Sequence, residues 1–566
     1  MSSITISYLG NNISAEAGIP VSDILPKNNT VIAALVNNHA VPLSYPLQIN
    51  CTVKPQTAAD QQGMNVYRRS LSFLLGKVVS ELFPDRQLHI GHSLGPGFYY
   101  DLDGAELTQD DIDSIKEEML RQVEADKPIQ RKYAAYCDAI EQLKAAGRTD
   151  KIKLLLGLNP PQVAVYQCDE YIEIYEGPLA AHTGQLGVFD IIPYRGGLIL
   201  QFPKKSDITK PAKFTAQDRI FDVHHKSIQY SKQIGAGTIG DLNEIIMNGQ
   251  LGEFIQLSET LQHRNLIELT DAIHNKPETR LIAIAGPSSS GKTTFSKRLS
   301  LQLKTLGITP VTISVDDYFI DRAKTPRGAD GQPDYECLEA LNIDALNQNL
   351  SDLISGKETH LLHYDFMTGL SSVRPETARL QPNEVIVIEG IHCLNDALTP
   401  AISRDKKFKI YISALTPINI DNNVRLPTTD NRLLRRMIRD SKYRGHSAKT
   451  TLSMWPNVRA GEEKHIFPYQ NTADGYFNSA LNYEMAILKP YAEPLLKQIK
   501  PCDEEYAEAI RLLRLLSYFL AADDDEVPID SLVREFIGGS LFKYGDEKKT
   551  MFCFAKHRFF CGIIMI

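Results

Sequence analysis

The sequence predicts an α/β protein in which a doubly wound parallel sheet follows a small β-rich module and an α+β domain. Three observations lead to this fold class. An unbroken apolar run at 281–285 enters a glycine- and serine-rich loop and then a helix, as a buried parallel strand does. Apolar runs at 311–315 and 385–390 suit further strands of the same sheet. Short β-type runs and helical periodicity alternate before residue 204.

Length and composition indicate several globular domains. The chain has 566 residues, of which 43% are hydrophobic and 23% charged, enough for about three or four domains. The formal net charge of −8 argues against a generally basic nucleic-acid binder. The eight cysteines include no C-x-x-C pair, and the start of the sequence lacks a basic segment followed by an apolar core. We therefore expect a cytoplasmic protein without a membrane span.

The chain before residue 279 divides into three predicted units. Residues 1–58 carry short β-type runs such as ITISYL and VIAALVNN. Residues 59–203 combine helical periodicity with strands that Gly and Pro interrupt, which predicts an α+β domain. Residues 204–278 are polar with helical periodicity, and we interpret them as a helical linker that docks the front units on the following domain, residues 279–500.

The loop after residue 285 carries the clearest chemical signal. Residues 286–293 read GPSSSGKT, which satisfies G-x-x-x-x-G-K-[ST] at every fixed position. In such a loop the backbone amides and the helix N-terminus bind phosphate, the lysine adds a point charge and the hydroxyl binds Mg²⁺. We therefore predict ATP and Mg²⁺ as ligands. The predicted nucleotide-binding residues of the loop are Gly286, Pro287, Ser288, Ser289, Ser290, Gly291, Lys292, Thr293 and Thr294.

Acidic residues follow both later strands of the predicted sheet. Asp316 and Asp317 come directly after the run at 311–315, and Glu389 closes the run that begins at residue 385. Doubly wound folds keep their ligands at the carboxyl ends of the strands, where a carboxylate can orient Mg²⁺ or a water. Any one of the three could be a simple helix cap, but three around one phosphate loop favour a site. Thr293 and Glu389 are the predicted metal ligands.

An arginine-rich segment at 428–447 completes the predicted site. Four arginines recur at helical spacing and a fifth follows in a loop with a glycine: Arg432, Arg435, Arg436, Arg439 and Arg444. A charge run is usually a solvated face, but arginines this close repel one another unless anions lie against them. Triphosphate oxygens would meet that need, and a mobile basic lid would exclude water during transfer.

Two predicted amphipathic helices form the C-terminal appendage, residues 501–566. They are EEYAEAIRLLRLLSYFL and VPIDSLVREFIGG, and they suit packing or a homo-oligomer interface. The last stretch, KKTMFCFAKHRFFCGIIMI, has the apolar density of a core strand.

These motifs together resemble the uridine kinase and phosphoribulokinase family over residues 279–500. The matching segments are GPSSSGKTT, SVDDYF (314–319), PDYECLEALN (333–342), HYDF (363–366), VIEGIH (387–392) and RLLRRMIRDSKYRG (432–445). The resemblance implies a P-loop kinase, an ATP-dependent phosphotransferase with an alcohol as acceptor. In such chemistry the protein mainly aligns the reactants and neutralises charge.

The resemblance also implies roles for individual residues. Asp316 matches the general base that takes a proton from the attacking hydroxyl, and Lys292 and Arg439 complete the implied catalytic set. Arg439 and Arg444 match lid residues on the phosphates. The implied contacts to a small-molecule acceptor come from a ribose-binding carboxylate, two pocket aromatics and an arginine: Asp334, Tyr364, Phe366 and Arg436.

The substrate is less defined than the reaction. The positions that read the pyrimidine in uridine kinases fall on Gly369, His446 and Met454, where the family has His, Arg and Gln. The segment LSMWPNVRAGEEKHIFPYQ (452–470) resembles instead the phosphoribulokinase side of the family. The predicted acceptor is a nucleoside such as uridine or cytidine, with another sugar or sugar phosphate as the alternative.

The front units resemble parts of threonyl-tRNA synthetases. Residues 1–58 look like a TGS domain, and ELFPD (81–85), GPGFYYDL (95–102) and DDIDSIKEEM (110–119) resemble the second additional domain. The family's metal ligands fall on residues that cannot replace them, which implies the scaffold without its metal: Arg69, Phe73, Tyr175 and Leu179. The competing hypothesis is a nucleotide-sensing protein that contacts RNA or the ribosome through these units.

Overall fold

The computed structural model describes residues 3–26, 30–175, 177–328, 331, 333–365 and 367–544. Over these residues the fold is mixed α/β and contains a parallel five-stranded sheet, which confirms the predicted fold class. Phe366 and the apolar C-terminal tail lie outside the described residues. No helix of the described part is long and apolar enough to cross a membrane.

The first unit is a β-rich module. Its strands are β1 (Ser3–Tyr8), β2 (Asn11–Glu16), β3 (Ile19–Pro20), β4 (Val31–Val36), β5 (His39–Val41), β6 (Pro46–Leu47) and β7 (Cys51–Thr57). Five of them form one sheet in the order β2-β1-β7-β4-β5, and β3 pairs with β6. Alternate residues of β1 and β7, such as Ile4, Ile6 and Val53, face a small apolar core, as half-buried strands require.

The second unit is an α+β domain built around a long helix. Its elements are α1 (Gln61–Leu82), β8 (Leu88–Leu94), β9 (Gly97–Leu102), α2 (Gln109–Glu124), β10 (Gln130–Ala135), α3 (Tyr136–Ala145), α4 (Thr149–Leu158), β11 (Gln162–Cys168), β12 (Tyr171–Glu173), β13 (Asp190–Tyr194) and β14 (Gly197–Gln201). The sheets run β13-β14-β9-β8 and β10-β11-β12. A capping box between Thr108 and Asp111 starts α2. Strand β10 lies inside residues 106–146, whose periodicity predicts one or two helices.

The segment predicted as a helical linker is not helical throughout. It opens with a two-stranded ribbon, β15 (Pro203–Lys204) and β16 (Asp207–Pro211). Three helices follow: α5 (Asp218–Gln233), α6 (Ile239–Met247) and α7 (Leu251–His274). Helix α6 begins with a capping box formed by Thr238 and Asp241.

The main sheet belongs to the third unit. Its elements are β17 (Leu281–Ala285), α8 (Lys292–Thr305), β18 (Thr309–Ser314), α9 (Ile343–Ile354), β19 (Thr359–Asp365), β20 (Leu370–Ala378), β21 (Glu384–Glu389), β22 (Lys407–Ser413), α10 (Thr428–Tyr443), α11 (Ala448–His465), β23 (Gly475–Asn478) and α12 (Glu484–Leu496). The strand order is β18-β21-β17-β22-β23, and every neighbouring pair is parallel. β19 and β20 form a separate antiparallel hairpin.

Both faces of this sheet are buried, as the unbroken apolar runs predict. Along β17, Ile282 and Ile284 face a core that includes residues of α7 and α8. Leu281, Ala283 and Ala285 face the opposite core, to which α9, α5 and β9 contribute. Helix α7, inside the predicted linker, is thus part of the hydrophobic core of the main domain.

The C-terminal appendage contains one of the two predicted helices in full. Helix α13 (Tyr506–Ser517) is amphipathic, but the second predicted helix shrinks to α14 (Arg534–Ile537). Gly538 and Gly539 end it with positive φ angles of 91° and 72°, a conformation that favours glycine. Both helices pack in one core with α10 and α12.

Candidate functional site

The phosphate loop turns sharply between β17 and α8, and two glycines make the turn. A Cβ on Gly286 would lie 2.1 Å from the carbonyl oxygen of Ile412 on β22, so a larger residue would break the strand packing. Gly291, the residue before α8, has φ +83°. Ser289 also takes a positive φ of 58°. Local backbone strain of this kind is concentrated at sites that bind ligands.

Lys292 lies over the loop that it follows. Its Nζ donates to the carbonyl oxygens of Gly286 at 2.9 Å and Pro287 at 3.3 Å. Burial lowers the pKa of Lys292, while the nearby carboxylates of Glu389 and Asp316 act in the opposite direction. The sequence-predicted lysine and two predicted carboxylates therefore lie within electrostatic range of one another.

Thr293 and Glu389 meet at the edge of the sheet. The Thr293 hydroxyl donates to the Glu389 carboxylate, with Oγ1 at 3.2 Å from Oε1 and 3.3 Å from Oε2. Burial raises the pKa of Glu389 to about 7, and the negative charges of Asp316 and Glu535 add to the effect of burial. A hydroxyl and a carboxylate side by side are hard oxygen donors of the kind that Mg²⁺ accepts, so the pair fits the predicted metal.

Asp316 and Asp317 point to different partners. Asp316 follows β18 in a short 3₁₀ turn, Val315–Tyr318, and burial in the site raises its pKa while Lys292 and Arg444 counteract the shift. Asp317 instead binds the β19–β20 hairpin, where it accepts from Arg374 Nη2 at 2.7 Å and lies 3.0 Å from His363 Nδ1. Two of the three predicted carboxylates therefore face the loop, and the third fixes the hairpin.

Two of the α10 arginines bind protein carboxylates, which corrects the expectation that triphosphate oxygens balance the whole cluster. Arg432 donates to Glu462 on α11 and to the Ser288 carbonyl at 3.0 Å. Arg435 is fully buried and donates to Glu484 Oε2 at 2.6 Å. Neither partner is close in sequence, so helical periodicity could not reveal them.

The remaining arginines surround Asp440. Its carboxylate lies 3.2 Å from Arg436 Nε, 3.1 Å from Arg439 Nη2 and 3.5 Å from Arg444 Nη1. Arg436 also donates to the Ser288 hydroxyl at 2.7 Å. The structure therefore brings Arg436 to the loop. The two predicted lid residues, Arg439 and Arg444, pair with Asp440 of α10.

Two of the predicted acceptor-binding residues, Asp334 and Tyr364, have local contacts in the structure. Asp334 accepts from the Glu336 amide at 3.0 Å, and Tyr364 is buried with its ring 5.6 Å from that of Phe319. Phe366 lies outside the described residues. Glu336, two residues after Asp334, is the carboxylate near Lys292 and Asp316, and burial raises its pKa. No sequence signal distinguishes Glu336 beyond its place in the motif PDYECLEALN.

Two carboxylates that no sequence pattern reveals bind backbone amides of the loop and of the first turn of α8. The Ser288 N–H donates to Glu462 Oε1 at 3.0 Å. The Thr294 N–H donates to Glu535 Oε2 at 3.3 Å. Glu462 is on α11 and Glu535 in the C-terminal appendage, and neither belongs to a recognisable nucleotide-binding pattern.

Four residues of this chain stand at the positions of the synthetase metal ligands, and three of them lie in the core of the second unit. Phe73, Tyr175 and Leu179 are buried in one apolar cluster. Arg69 donates from Nη1 to the Pro178 carbonyl at 2.7 Å. Among the described residues no group of three or more His, Cys, Asp or Glu side chains could hold a metal ion.

Comparisons with known proteins divide the chain into two parts. Residues 281–482 match the model of the Phosphoribulokinase / Uridine kinase family. The N-terminal region matches threonine–tRNA ligases. The enzyme of Desulfovibrio desulfuricans is 32% identical over 186 residues, 31% of this chain and 29% of that protein. For the enzyme of Maridesulfovibrio salexigens the values are 32% over 168 residues, 29% and 26%. The chain thus spans less than a third of these relatives' length.

Solved structures of kinases are similar to part of the chain. A chain assigned as a fructose transport system kinase of Silicibacter sp. TM1040 has a TM-score of 0.28 and 17% identity, covering 38% of this chain and 98% of that one. D-glycerate 3-kinase of Cryptococcus neoformans has a TM-score of 0.20 and 14% identity, covering 46% and 89%. Residues 281–482 are a domain of the phosphoribulokinase / uridine kinase family, which this chain joins to an N-terminal region similar to part of threonine–tRNA ligases.

Proposed function

We propose that this chain is an ATP-dependent kinase that transfers the γ-phosphate to a primary hydroxyl of a small molecule, with a nucleoside such as uridine or cytidine as acceptor. The observation that supports it best is the grouping of Lys292, Asp316 and Glu389 around the phosphate loop, each within electrostatic range of the others. Phosphoryl transfer requires alignment and charge neutralisation, and this grouping offers both.

Each residue has a distinct part in the proposed reaction. Asp316 accepts the proton of the attacking hydroxyl, and Lys292 neutralises charge on the terminal phosphate. Thr293 and Glu389 hold Mg²⁺, which when bound offsets the negative charge of the phosphates. Arg436, Arg439 and Arg444 stabilise the transferred group once the lid closes.

The described acceptor residues of the proposal come from the segment before α9, from strand β19 and from α10. Asp334 binds ribose hydroxyls, and Tyr364 and Arg436 contact the acceptor; the role of Phe366, which lies outside the described residues, stays a prediction. Residues that would read a pyrimidine are replaced by Gly369, His446 and Met454, so the acceptor among nucleosides, sugars and sugar phosphates has to be found by experiment. The cytoplasmic location and the homo-oligomer predicted from the sequence stay predictions.

A substrate panel with three variants tests the proposal. ATP, Mg²⁺ and a set of nucleosides and sugars are incubated with the full chain, and products are detected by mass. Lys292→Ala is expected to weaken ATP binding at least tenfold, whereas Asp316→Asn should bind ATP normally and lose transfer by about 10²- to 10⁴-fold. Asp317→Asn is the matched control, because Asp317 binds Arg374 and His363 instead. Full activity of Asp316→Asn would refute the assigned base.

A second candidate is a nucleotide-sensing protein that contacts RNA. The similarity of the N-terminal region to threonine–tRNA ligases favours it. This similarity covers less than a third of the length of those enzymes. Tight and ATP-dependent binding of tRNA or ribosomes, together with no phosphorylated product from the whole panel, would favour this function over the kinase.

A further inference from the structure

The C-terminal segment packs directly on the phosphate loop. We call residues 531–544 the C-terminal strap; it lies outside the family match at 281–482. A Cβ placed on Gly291 would lie 3.1 Å from Leu532 Cδ2, so the strap lies against the residue that precedes α8. Leu532 is buried in the same core as Phe295 and Leu299 of that helix. The strap is therefore a structural neighbour of the nucleotide site.

Glu535 binds the N-terminus of α8 at Thr294, the third residue of that helix. Its Oε2 accepts from the Thr294 hydroxyl at 2.6 Å and from the Thr294 N–H at 3.3 Å. Gly291 precedes the helix and provides no side-chain cap, so the carboxylate serves a donor that the helix itself leaves unsatisfied. Tyr544 Oη lies 2.9 Å from the same Thr294 hydroxyl. Thr294 is thus bound by two strap residues.

The same amide is part of the anion-binding surface that the loop motif forms. In this motif the backbone amides of the loop and of the first helical turn bind nucleotide phosphates. One N–H cannot serve a carboxylate and a phosphate at full strength, and the two anions repel each other. A negative charge fixed at this position is therefore unfavourable for a nucleotide and favourable for the empty helix terminus.

Hydrogen bonds hold the strap in place at both ends of α14, and one of them comes from α10. Before Glu535, Arg534 donates to Asp524 Oδ2 at 2.6 Å and to the Val527 carbonyl at 2.7 Å. After it, Lys442 of α10 donates to the Ile537 carbonyl. The Arg435 guanidinium lies 4.9 Å from the centre of the Phe536 ring. A movement of Glu535 would therefore disturb the contacts of the strap with α10, the helix that carries Arg436 and Arg439.

We propose that Glu535 is a further residue of the nucleotide site, whose carboxylate binds the Thr294 amide and competes for it with a phosphate of the incoming nucleotide. This inference rests on the proposed function, since it takes the loop as a nucleotide site. The strap sets the affinity for ATP, and nucleotide binding releases Glu535 from Thr294.

Nucleotide affinity of charge-neutral variants tests the proposal. Binding of ATP and ADP with Mg²⁺ is measured by calorimetry on the full chain. Glu535→Gln keeps the size of the side chain and removes its charge, and it should lower the Kd roughly five- to tenfold. Tyr544→Phe removes one contact to Thr294 and should lower the Kd by a smaller factor. Glu504→Gln makes the same charge change at an exposed residue of the appendage and should leave the Kd unchanged.

Hydrogen exchange gives a second measurement that does not need a variant. Addition of Mg²⁺ and ATP to the wild-type chain should speed amide exchange in residues 532–540. An unchanged or higher Kd of Glu535→Gln, together with exchange in the strap that ATP does not speed, would overturn the proposal. If neither the wild type nor Glu535→Gln binds any nucleotide, the proposed function falls and this inference with it. If both bind equally and Lys292→Ala does not, the competition is refuted whatever the exchange shows, and the proposed function stands; a lower Kd of Glu535→Gln without faster exchange in the strap would refute the release of Glu535.

Discussion

Glu389 makes the stability of the site dependent on pH. Burial raises its pKa from 4.5 to about 7, so between these values the folded state holds a proton that the unfolded state has lost. Stability therefore falls as pH rises through this interval, and above about pH 7 the folded protein bears the full cost of the buried charge. Glu389→Gln should accordingly raise the free energy of unfolding at pH 8 by about 1–3 kcal/mol.

Urea denaturation at two pH values checks this expectation. Near pH 5 the difference between Glu389→Gln and the wild type should shrink to less than about 1 kcal/mol, because the folded carboxyl group is then protonated and the pH is only slightly above the unfolded pKa of 4.5. Glu358→Gln, at an exposed position before β19, should change stability little at either pH. A gain for Glu389→Gln that is equal at pH 5 and pH 8 would contradict the assigned pKa.

The sequence locates residues of the site well where a local pattern fixes them. Lys292 and Glu389 follow from the strand, loop and helix signals, because the ends of parallel strands meet at one edge of a sheet. The partners of Arg432 and Arg435 could not be predicted. Glu462 and Glu484 lie 30 and 49 residues further along the chain, and only tertiary packing decides which carboxylate reaches which guanidinium.

At the level of elements, α7 shows why the domain boundary could not be read from the sequence. Its polar composition predicts a linker, yet one face packs on the main sheet through Leu266, Leu269 and Ile273. A Cβ on Gly475 of β23 would lie 2.3 Å from Leu269 Cδ1, so the helix and the edge strand are in close contact. Periodicity reveals an apolar face but not the surface that it covers.

Truncation of Leu269 should therefore destabilise the main domain. Leu269 is 6% exposed, and Leu269→Ala leaves a cavity between α7 and the sheet that is expected to reduce the free energy of unfolding by about 2–5 kcal/mol. Leu257→Ala, on the same helix at a 44% exposed position, is the matched control and should change it by less than about 1 kcal/mol. Equal losses for the two variants would mean that α7 does not belong to the core.

At the level of the whole molecule, a buried charge network joins the second unit to the main domain. Lys151 Nζ on α4 lies 2.8 Å from Glu173 Oε1 and 2.8 Å from Asp421 Oδ2, which follows β22. Arg148 Nη1 binds Glu173 Oε2 at 2.6 Å, and Asn423 Nδ2 donates to the same oxygen at 3.1 Å. Removing one member of such a network leaves its partners charged and unpaired.

Lys151→Met should uncouple the unfolding of the two regions. Loss of the buried cation is expected to destabilise the junction by about 3–5 kcal/mol, and the main domain keeps its own core on both faces of its sheet. The chain has a single tryptophan, Trp455 on α11, so its fluorescence reports on the main domain, whereas circular dichroism reports on all helices.

In the wild type the two signals should change at the same urea concentration. In Lys151→Met the dichroism transition should begin at lower urea than the tryptophan transition, because the front units unfold first. Lys132→Met removes an exposed lysine that donates to Gln167 Oε1 at 2.7 Å, and its transitions should stay together. Coincident transitions in Lys151→Met would mean that apolar packing alone holds the front units on the main domain, since the buried ion pairs would then contribute nothing to their cooperativity.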